Sequence, residues 1–218
     1  MVKQGLTELV FILDKSGSMS GLESDTLGGY NSMLDKQKKV DGECVVTTVL
    51  FDHDHELLHD RIDIKAVTAI TEKEYQVGGS TALLDAMGMA INKIRKVQTK
   101  TVEDYRAERV LFVIITDGEE NSSREYSLSK IKALVEHHKE QDAWEFVFLG
   151  ANIDAIETAR HFGISADRAQ SFHADAEGVA LNFAVISESV AEFRKKGRVQ
   201  DNWKQKIEGD YQRRGGKY

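Results

Sequence analysis

Two aspartates stand at positions where their carboxylates could share one cation. Asp14 directly follows the apolar run 7–13, and Asp117 directly follows the apolar run 110–116. If these runs form neighbouring parallel strands, both carboxylates lie at the carboxyl edge of the sheet, where open α/β sheets bind ligands. Two carboxylates at close range repel each other unless a proton or a cation neutralises them. The spacing therefore predicts a cation site.

Hydroxyl side chains accompany the two carboxylates. Ser16 and Ser18 follow Asp14 at steps of two, and Thr81 ends a loop that contains two glycines. A donor set of carboxylate and neutral oxygens is typical of hard cations such as Mg²⁺ or Mn²⁺ and argues against zinc. We therefore expect the cofactor to be Mg²⁺ or Mn²⁺, with a coordination position left open for an outside oxygen.

The elements that must position these residues alternate between strands and helices. Apolar runs predict strands, and apolar residues at steps of three and four predict helices. The predicted strands are 7–13, 44–51, 56–62, 110–116, 145–149 and 168–172, and the predicted helices are 22–38, 84–94, 128–139, 152–162 and 179–193. Such alternation predicts an α/β fold, doubly wound in three layers and Rossmann-like, with helices on both faces. The sheet is mostly parallel, with one antiparallel hairpin strand.

The end of the chain differs from the rest. After Gly197 the apolar period stops and basic residues collect, so we divide the chain into a domain (1–197) and a basic C-terminal tail (198–218). We expect the tail to be partly helical around Trp203. That tryptophan could dock on the domain or on a partner, and packing in the core is the favoured interpretation. The basic residues of the tail are Arg198, Lys204, Lys206, Arg213, Arg214 and Lys217. Near the other end, Ser20 and Glu23 form an S-x-x-E pattern that predicts a capping box for the first helix.

Composition narrows the classes of function. The net charge of −7 argues against general nucleic-acid binding and favours attraction of cations. No run of about 18 apolar residues occurs, which predicts no transmembrane helix. The single cysteine, Cys44, cannot form an internal disulfide and is expected to be buried and inert. Together with a first apolar run too short for a secretory signal, these features predict a cytoplasmic protein.

Three segments of the chain resemble the metal-ion-dependent adhesion site of von Willebrand factor A (vWA) domains. Residues 14–20 match that family's D-x-S-G-S-x-S pattern, residues 79–86 resemble its threonine loop, and residues 116–118 resemble its third segment. The likeness extends over residues 7 to about 195 in the order of strands and helices. Residues 29–32 and 149–152 look similar to the compact, stand-alone bacterial and phage members.

The resemblance implies roles for particular residues. Ser16, Ser18 and Thr81 would contact the metal directly or through water, and Asp14 and Asp117 would bind it or hold its waters. The open position would then accept an Asp or Glu of a partner protein. Family members inside bacteria often serve as adaptors for ATPases or in multi-protein systems, so the resemblance implies a non-enzymatic interaction module of that kind.

The residues after Asp117 form the expected rim of this site. Glu119, Glu120 and Asn121 would stand beside the metal, where they could bind the partner or form only a charged loop. Asp85 is expected to orient neighbouring backbone, or a hydroxyl close to the metal, rather than to bind the metal.

Three alternatives stay open. A metal-dependent hydrolase would use Asp14 as its nucleophile, but the second carboxylate that such enzymes carry two residues later is replaced by Ser16. The basic tail could bind RNA, although weakly and with strong salt dependence. His53, His55 and His59 could face one way on an extended strand and bind zinc, but no Cys and no Glu-x-x-His helix supports a zinc site, and a solvated hairpin turn is the favoured interpretation. We expect His137 and His138, near a helix end, to be surface residues.

Overall fold

Six strands form a single sheet in the computed structural model, which describes residues 3–216. The sheet order is β3-β2-β1-β4-β5-β6, and every neighbouring pair is parallel except β2 and β3. The strands are β1 (Lys3–Asp14), β2 (Cys44–Phe51), β3 (His55–Asp63), β4 (Ala107–Thr116), β5 (Glu145–Ala151) and β6 (Ala169–Phe172). The predicted mostly parallel sheet with one antiparallel hairpin is confirmed.

Helices cover both faces of this sheet. They are α1 (Glu23–Gln37), α2 (Leu83–Lys100), α3 (Leu128–Gln141), α4 (Ala155–His161), α5 (Ala176–Lys196) and α6 (Gln205–Arg213). Residues of α1, α5 and α6 share one apolar cluster with the sheet, and residues of α2, α3 and α4 share the other. The fold is therefore the predicted three-layer, Rossmann-like arrangement.

The central strand β1 shows why both faces are apolar. Leu9, Phe11 and Leu13 belong to the cluster on the α1 side, while Val10 and Ile12 belong to the cluster on the α2 side. All five are at most 1% exposed. Burial of such a side chain contributes about 1.5–3 kcal/mol. A strand that contributes this much on each face is held rigidly, and so is the aspartate at its end.

The start of α1 differs from the predicted capping box. The helix begins at Glu23 with Leu22 as its N-cap, and Ser20 makes no capping bond to it. A 3₁₀ turn that begins at Gly17 precedes the helix, and the Ser20 N–H closes that turn by donating to the Gly17 carbonyl at 3.3 Å. The Glu23 carboxylate accepts from the Gly21 N–H at 2.8 Å instead. The prediction is wrong because the local turn uses Ser20 first.

The residues after 197 fold back onto the domain. Val199, Trp203 and Ile207 are nearly buried in the cluster on the α1 side, and the Trp203 indole N–H donates to the Asp167 carbonyl at 2.8 Å. The packing of Trp203 on the domain is thereby confirmed. The helix α6 lies against β6, which would otherwise be an open edge strand. The division of the chain at residue 197 stays a prediction.

Two further predictions concern single residues. Cys44 is buried in β2, as expected. His137 is exposed, but His138 is only 2% exposed, so its prediction as a surface residue is wrong. The reason is a stack between the His138 and Trp144 rings, whose centroids are 4.1 Å apart at an interplanar angle of 12°. Among the described residues, no helix is both long enough and apolar enough to cross a bilayer.

Candidate metal site

The two aspartates meet because their strands are neighbours. In the parallel pairing of β1 with β4, Leu13 lies opposite Ile115, so both chains leave the sheet at the same edge. Asp14 is 1% exposed and Asp117 is 3% exposed. The convergence expected from the sequence is thus present in the fold. That these residues bind a metal stays a prediction.

Hydrogen bonds fix the position of the Asp14 carboxylate. Its Oδ1 accepts from the Ser16 backbone N–H at 2.7 Å, and its Oδ2 accepts from the Thr116 hydroxyl at 2.5 Å. The Tyr75 hydroxyl donates to the backbone carbonyl of Asp14. Both carboxylate oxygens therefore have partners from the protein, which leaves Asp14 suited to orient the loop and to attract a cation.

A chain of hydroxyls leads from Ser16 to the second aspartate. The Oγ atoms of Ser16 and Ser18 are 3.0 Å apart, and the Ser18 hydroxyl donates to Oδ1 of Asp117 at 2.5 Å. The other oxygen of Asp117, Oδ2, is buried and has no hydrogen-bond partner among the described residues. A buried carboxylate oxygen without a donor costs free energy, and a bound cation would supply what it lacks.

Thr81 completes the group from a separate loop. A Cβ atom built on Gly118 would lie 3.0 Å from Oγ of Ser18, 3.1 Å from Oγ1 of Thr81 and 3.8 Å from Oγ of Ser16. Three hydroxyls therefore surround the same small space beside Gly118, which only glycine leaves open. The Thr81 backbone N–H donates to the Asn121 side chain at 2.9 Å, which holds the loop in place.

The electrostatics of the two carboxylates also favour a cation. Burial raises the pKa of Asp14 above its usual range. Burial likewise raises the pKa of Asp117 to about 6, and the charge of Asp14 adds to that shift. Negative charge in this pocket is therefore costly without a counter-ion. Two carboxylates and three hydroxyls form an all-oxygen donor set that fits a hard divalent cation.

The structure separates the three residues predicted for the rim. Glu119 is exposed beside the site. The Glu120 carboxylate turns inward, where it accepts from the Leu84 N–H at 2.9 Å and from the Ser123 N–H at 2.7 Å. Asn121 is exposed but its side chain is bonded to the threonine loop. Glu119 is thus the rim residue whose carboxylate is most available to a partner.

Two residues outside the metal-binding set support the site, and only one of them, Asp85, was predicted from the sequence. Asp85 accepts N–H groups of three successive residues, Arg124 to Tyr126, at 2.7–2.9 Å. Its predicted role in orienting backbone is confirmed. Tyr75 was not predicted as part of the site, because no local pattern shows that a residue between two elements reaches the end of β1. Its near-complete burial and its bond to Asp14 place it beneath the site.

The structure argues against the alternative of a zinc cluster on the hairpin. His53 is exposed and its Nδ1 lies 3.0 Å from the Asp52 carboxylate, whereas His59 is buried and bonds to the Thr48 hydroxyl at 2.9 Å. Strand β3 carries irregularities next to Thr48, so that His59 does not keep the side expected of an unbroken alternation. His53 and His59 therefore lie in different environments.

Comparisons with known proteins agree at the level of the fold. No protein-family model and no curated protein matches the chain. Among solved structures, a von Willebrand factor type A protein from Catenulispora acidiphila is 14% identical, with a TM-score of 0.57 over 85% of this chain and 42% of that one. Manganese-loaded TRAP protein of Plasmodium vivax is 20% identical, with a TM-score of 0.58 over 84% of this chain and 74% of that one.

A third similar structure comes from the mussel byssus. Proximal thread matrix protein 1, with a zinc-occupied metal-ion-dependent adhesion site (MIDAS) motif, is 14% identical to this chain. Its TM-score is 0.59 over 88% of this chain and 47% of that one. The chain thus spans less than half the length of the Catenulispora and mussel proteins. Together with the sheet order and the helices on both faces, these likenesses show that the chain has the von Willebrand factor A fold.

Proposed function

We propose that this chain is a metal-dependent protein-interaction module. Mg²⁺, or Mn²⁺, is held by Asp14, Ser16, Ser18, Thr81 and Asp117, and its open coordination position accepts the carboxylate of an Asp or Glu on a partner protein. The observation that carries the proposal is the buried, unpartnered Oδ2 of Asp117 next to three converging hydroxyls. The manganese and zinc in two structures of the same fold support a divalent ion.

The charge of the surface supports a metal-dependent contact. The protein carries a net charge of −7, and Glu119 is exposed beside the site. An acidic side chain that approached this edge without a cation would be repelled. The ion neutralises the two carboxylates and offers its open coordination position to the partner, so partner binding should depend strictly on it.

A groove extends this surface away from the metal. Leu84, Leu128 and Phe162 line a cavity of about 370 Å³ together with Glu119 and Asp154. Leu128 is 41% exposed, which leaves an apolar contact available to a partner. The groove would let a partner add contacts beyond its one carboxylate, and affinity arises largely from such buried apolar contacts.

The cellular role follows from the resemblance of the sequence motifs. We propose an intracellular, cytoplasmic adaptor of the bacterial or phage type that works within a multi-protein system, with an ATPase as a candidate partner. No contact with a membrane is part of this proposal.

We propose that the chain is not an enzyme. Both oxygens of Asp14 accept hydrogen bonds, which lowers their nucleophilicity, and Ser16 stands where a hydrolase of this type needs an acid–base carboxylate. A metal-dependent hydrolase remains the alternative, and a turnover assay with Mg²⁺ and phosphate esters tests it. Hydrolysis that Asp14→Ala abolishes would replace the interaction role.

RNA binding through the tail is disfavoured by what its basic residues already contact. Arg213 and Arg214 both bond to the Asp210 carboxylate, and the Lys204 ammonium donates to two backbone carbonyls at 2.7 and 2.8 Å. Lys206 lies 2.7 Å from Glu188. Each of these cations already has a partner within the protein, which disfavours a phosphate backbone as its ligand.

Affinity capture from the source cell tests the proposed function. Wild-type chain, Asp14→Ala and the control Asp54→Ala are used as baits in Mg²⁺ and in EDTA. Asp54 is a matched carboxylate in the exposed turn between β2 and β3. We expect a protein retained by wild type and Asp54→Ala only in Mg²⁺, and not by Asp14→Ala. Captures that are identical in every lane, with both variants folded by circular dichroism, would refute the proposal.

A further inference from the structure

A second group of metal-ligand side chains lies at the end of α3. His137, His138 and Asp142 each offer one ligand atom, and these atoms lie within 4.8 Å of one another. The group stands where α3 ends and before β5 begins, which is the edge of the sheet opposite to Asp14 and Asp117. It is therefore separate from the candidate site described above.

One member of the group is held rigidly. The His138 ring is stacked on Trp144, and its Nδ1 lies 2.5 Å from Oδ2 of Asp142. Its Nε2 is buried without a hydrogen-bond partner among the described residues, so Nδ1 is the ring nitrogen that can share an ion with Asp142. A histidine fixed by packing has already lost much of the freedom that a metal ligand must lose on binding.

The other two members can adjust. His137 is exposed, and the Asp142 side chain is 44% exposed at the C-cap position of α3. Ligands of a tetrahedral zinc ion are about 3.3 Å apart, given bonds of about 2.0–2.1 Å. The present separations, 2.5 Å between His138 and Asp142 and at most 4.8 Å overall, need only small rotations of these two exposed side chains. A zinc ion would replace the proton between His138 and Asp142.

The position on the helix also favours a cation. The last carbonyls of a helix carry partial negative charge, which stabilises cations near the C-terminus. His138 and Asp142 line a cavity of about 370 Å³, which leaves room for a water as the fourth ligand. Arg95 and Arg106 line the same cavity with Glu108 and oppose a cation, so the affinity should rise when the charge of Arg95 is removed.

We propose that His137, His138 and Asp142 form a zinc site. Two imidazoles and one carboxylate suit Zn²⁺ and not Mg²⁺, whereas the all-oxygen set around Asp14 favours Mg²⁺ or Mn²⁺. The two sites would therefore select different ions. Zinc here would tie the end of α3 to the residues that lead into β5, and it needs no partner protein.

Zinc titration of the full chain tests this site. The protein carries Asp14→Ala and is kept in excess Mg²⁺, so that the other site does not take up zinc, and Zn²⁺ binding is measured by competition with a chromophoric chelator. We expect one bound equivalent, a loss of affinity of at least about tenfold in His137→Ala and in Asp142→Asn, and a gain in Arg95→Gln. His137 and Asp142 are exposed, so these variants should stay folded.

His161→Ala provides the matched control. His161 is also exposed near a helix end, and its Nε2 lies 3.3 Å from Oε1 of Glu157. Among the described residues, however, His161 does not belong to a group of three metal-ligand side chains. This variant should bind zinc as tightly as its parent, and imidazole ¹⁵N resonances of His137 and His138, but not His161, should shift on zinc addition. Equal affinity in His137→Ala and its parent, or no bound equivalent at all, would overturn the proposal.

Discussion

The Ser18 hydroxyl donates a hydrogen bond of 2.5 Å to Oδ1 of Asp117, a residue 99 positions further along the chain. This bond joins the loop after β1 to the loop after β4 and satisfies one oxygen of the carboxylate. The second oxygen has no donor among the described residues. The protein thus satisfies one oxygen of this buried carboxylate and leaves the other without a donor, which costs free energy when the carboxylate is ionised.

Replacing Asp117 by Asn should remove the cost of burying an ionised carboxylate at this position. Because the pKa of Asp117 is raised to about 6 in the folded protein, folding favours its protonated form. Its contribution to stability is fully present below the unfolded pKa of about 3.9 and is lost as the pH rises through about 6. Urea unfolding in EDTA should therefore show a smaller loss of stability between about pH 4 and pH 7 in Asp117→Asn than in wild type.

Adding Mg²⁺ should reverse which of the two proteins, wild type or Asp117→Asn, is the more stable near pH 7. Wild type should gain thermal stability, since a ligand that binds only the native state stabilises it, while Asp117→Asn should gain little. Asp14 also has a raised pKa, and because the two carboxylates repel each other, removing the charge of Asp117 eases the ionisation of Asp14 and reduces the pH slope of the variant further. Equal pH slopes in EDTA would show that Asp117 is not the group whose ionisation costs stability.

A methyl group at Gly118 should block the metal without disturbing the fold. The added Cβ would lie 3.0 Å from Oγ of Ser18 and 3.1 Å from Oγ1 of Thr81, within the space that the ion would use. We expect Gly118→Ala to weaken Mg²⁺ or Mn²⁺ binding by at least about tenfold, measured by isothermal titration calorimetry.

Gly28→Ala is the control for this substitution. Gly28 lies in α1, nothing stands within 4 Å of its added Cβ, and alanine in a helix is more stable than glycine by up to about 1 kcal/mol. The control should bind metal as wild type does. If Gly118→Ala also binds metal normally, the ion does not lie among the three hydroxyls.

The sequence predicted the convergence of Asp14 and Asp117 on one condition. Each follows an apolar strand, and parallel neighbours bring their carboxyl ends to one edge, so only the pairing of β1 with β4 had to come from the structure. Glu119 and Glu120 could not be told apart in this way. They are adjacent and identical in type, and only the position of the α2 N-terminus decides which carboxylate turns inward.

The expectations that the structure did not bear out, for Ser20, His59 and His138, failed for a common physical reason. Ser20 matches a capping pattern, but the 3₁₀ turn before it uses its N–H first. His59 matches an alternation, but irregular pairing with β2 turns it toward Thr48. His138 lies near a polar helix end, but Trp144 covers it. In each case a tertiary or neighbouring contact overrides a local pattern, and a pattern of a few residues does not contain that contact.

Trp203 should be essential for stability although it lies outside the predicted domain. Its ring is 7% exposed and its indole N–H is bonded to the Asp167 carbonyl. Trp203→Ala should lower the free energy of unfolding by about 3–5 kcal/mol, as measured by urea denaturation. Arg213→Ala, at a side chain that is 71% exposed in the same segment, should change it by less than about 1 kcal/mol. A small effect of Trp203→Ala would mean that residues after 197 can leave the domain.

Asp85 should support the metal site without binding the ion. It accepts three backbone N–H groups from residues 124–126, and each N–H left buried without an acceptor costs about 1–3 kcal/mol. Asp85→Ala should therefore lower stability and speed hydrogen exchange at these amides. Metal affinity should fall only modestly, because Thr81 and Asp117 keep their own hydrogen bonds.

Comparison with Asp14→Ala tests whether Asp85 binds the metal itself or only holds the backbone of residues 124–126. Asp14→Ala should remove metal binding, whereas Asp85→Ala should retain it and recover part of its lost stability when Mg²⁺ is added. Hydrogen exchange at residues 124–126 should be unaffected in Asp14→Ala, since that carboxylate makes no bond to them. The opposite result would be that Asp85→Ala loses metal binding as fully as Asp14→Ala, while the amides of residues 124–126 exchange as in wild type. Asp85 would then be a metal ligand, and the assignment of five metal-binding residues would be incomplete.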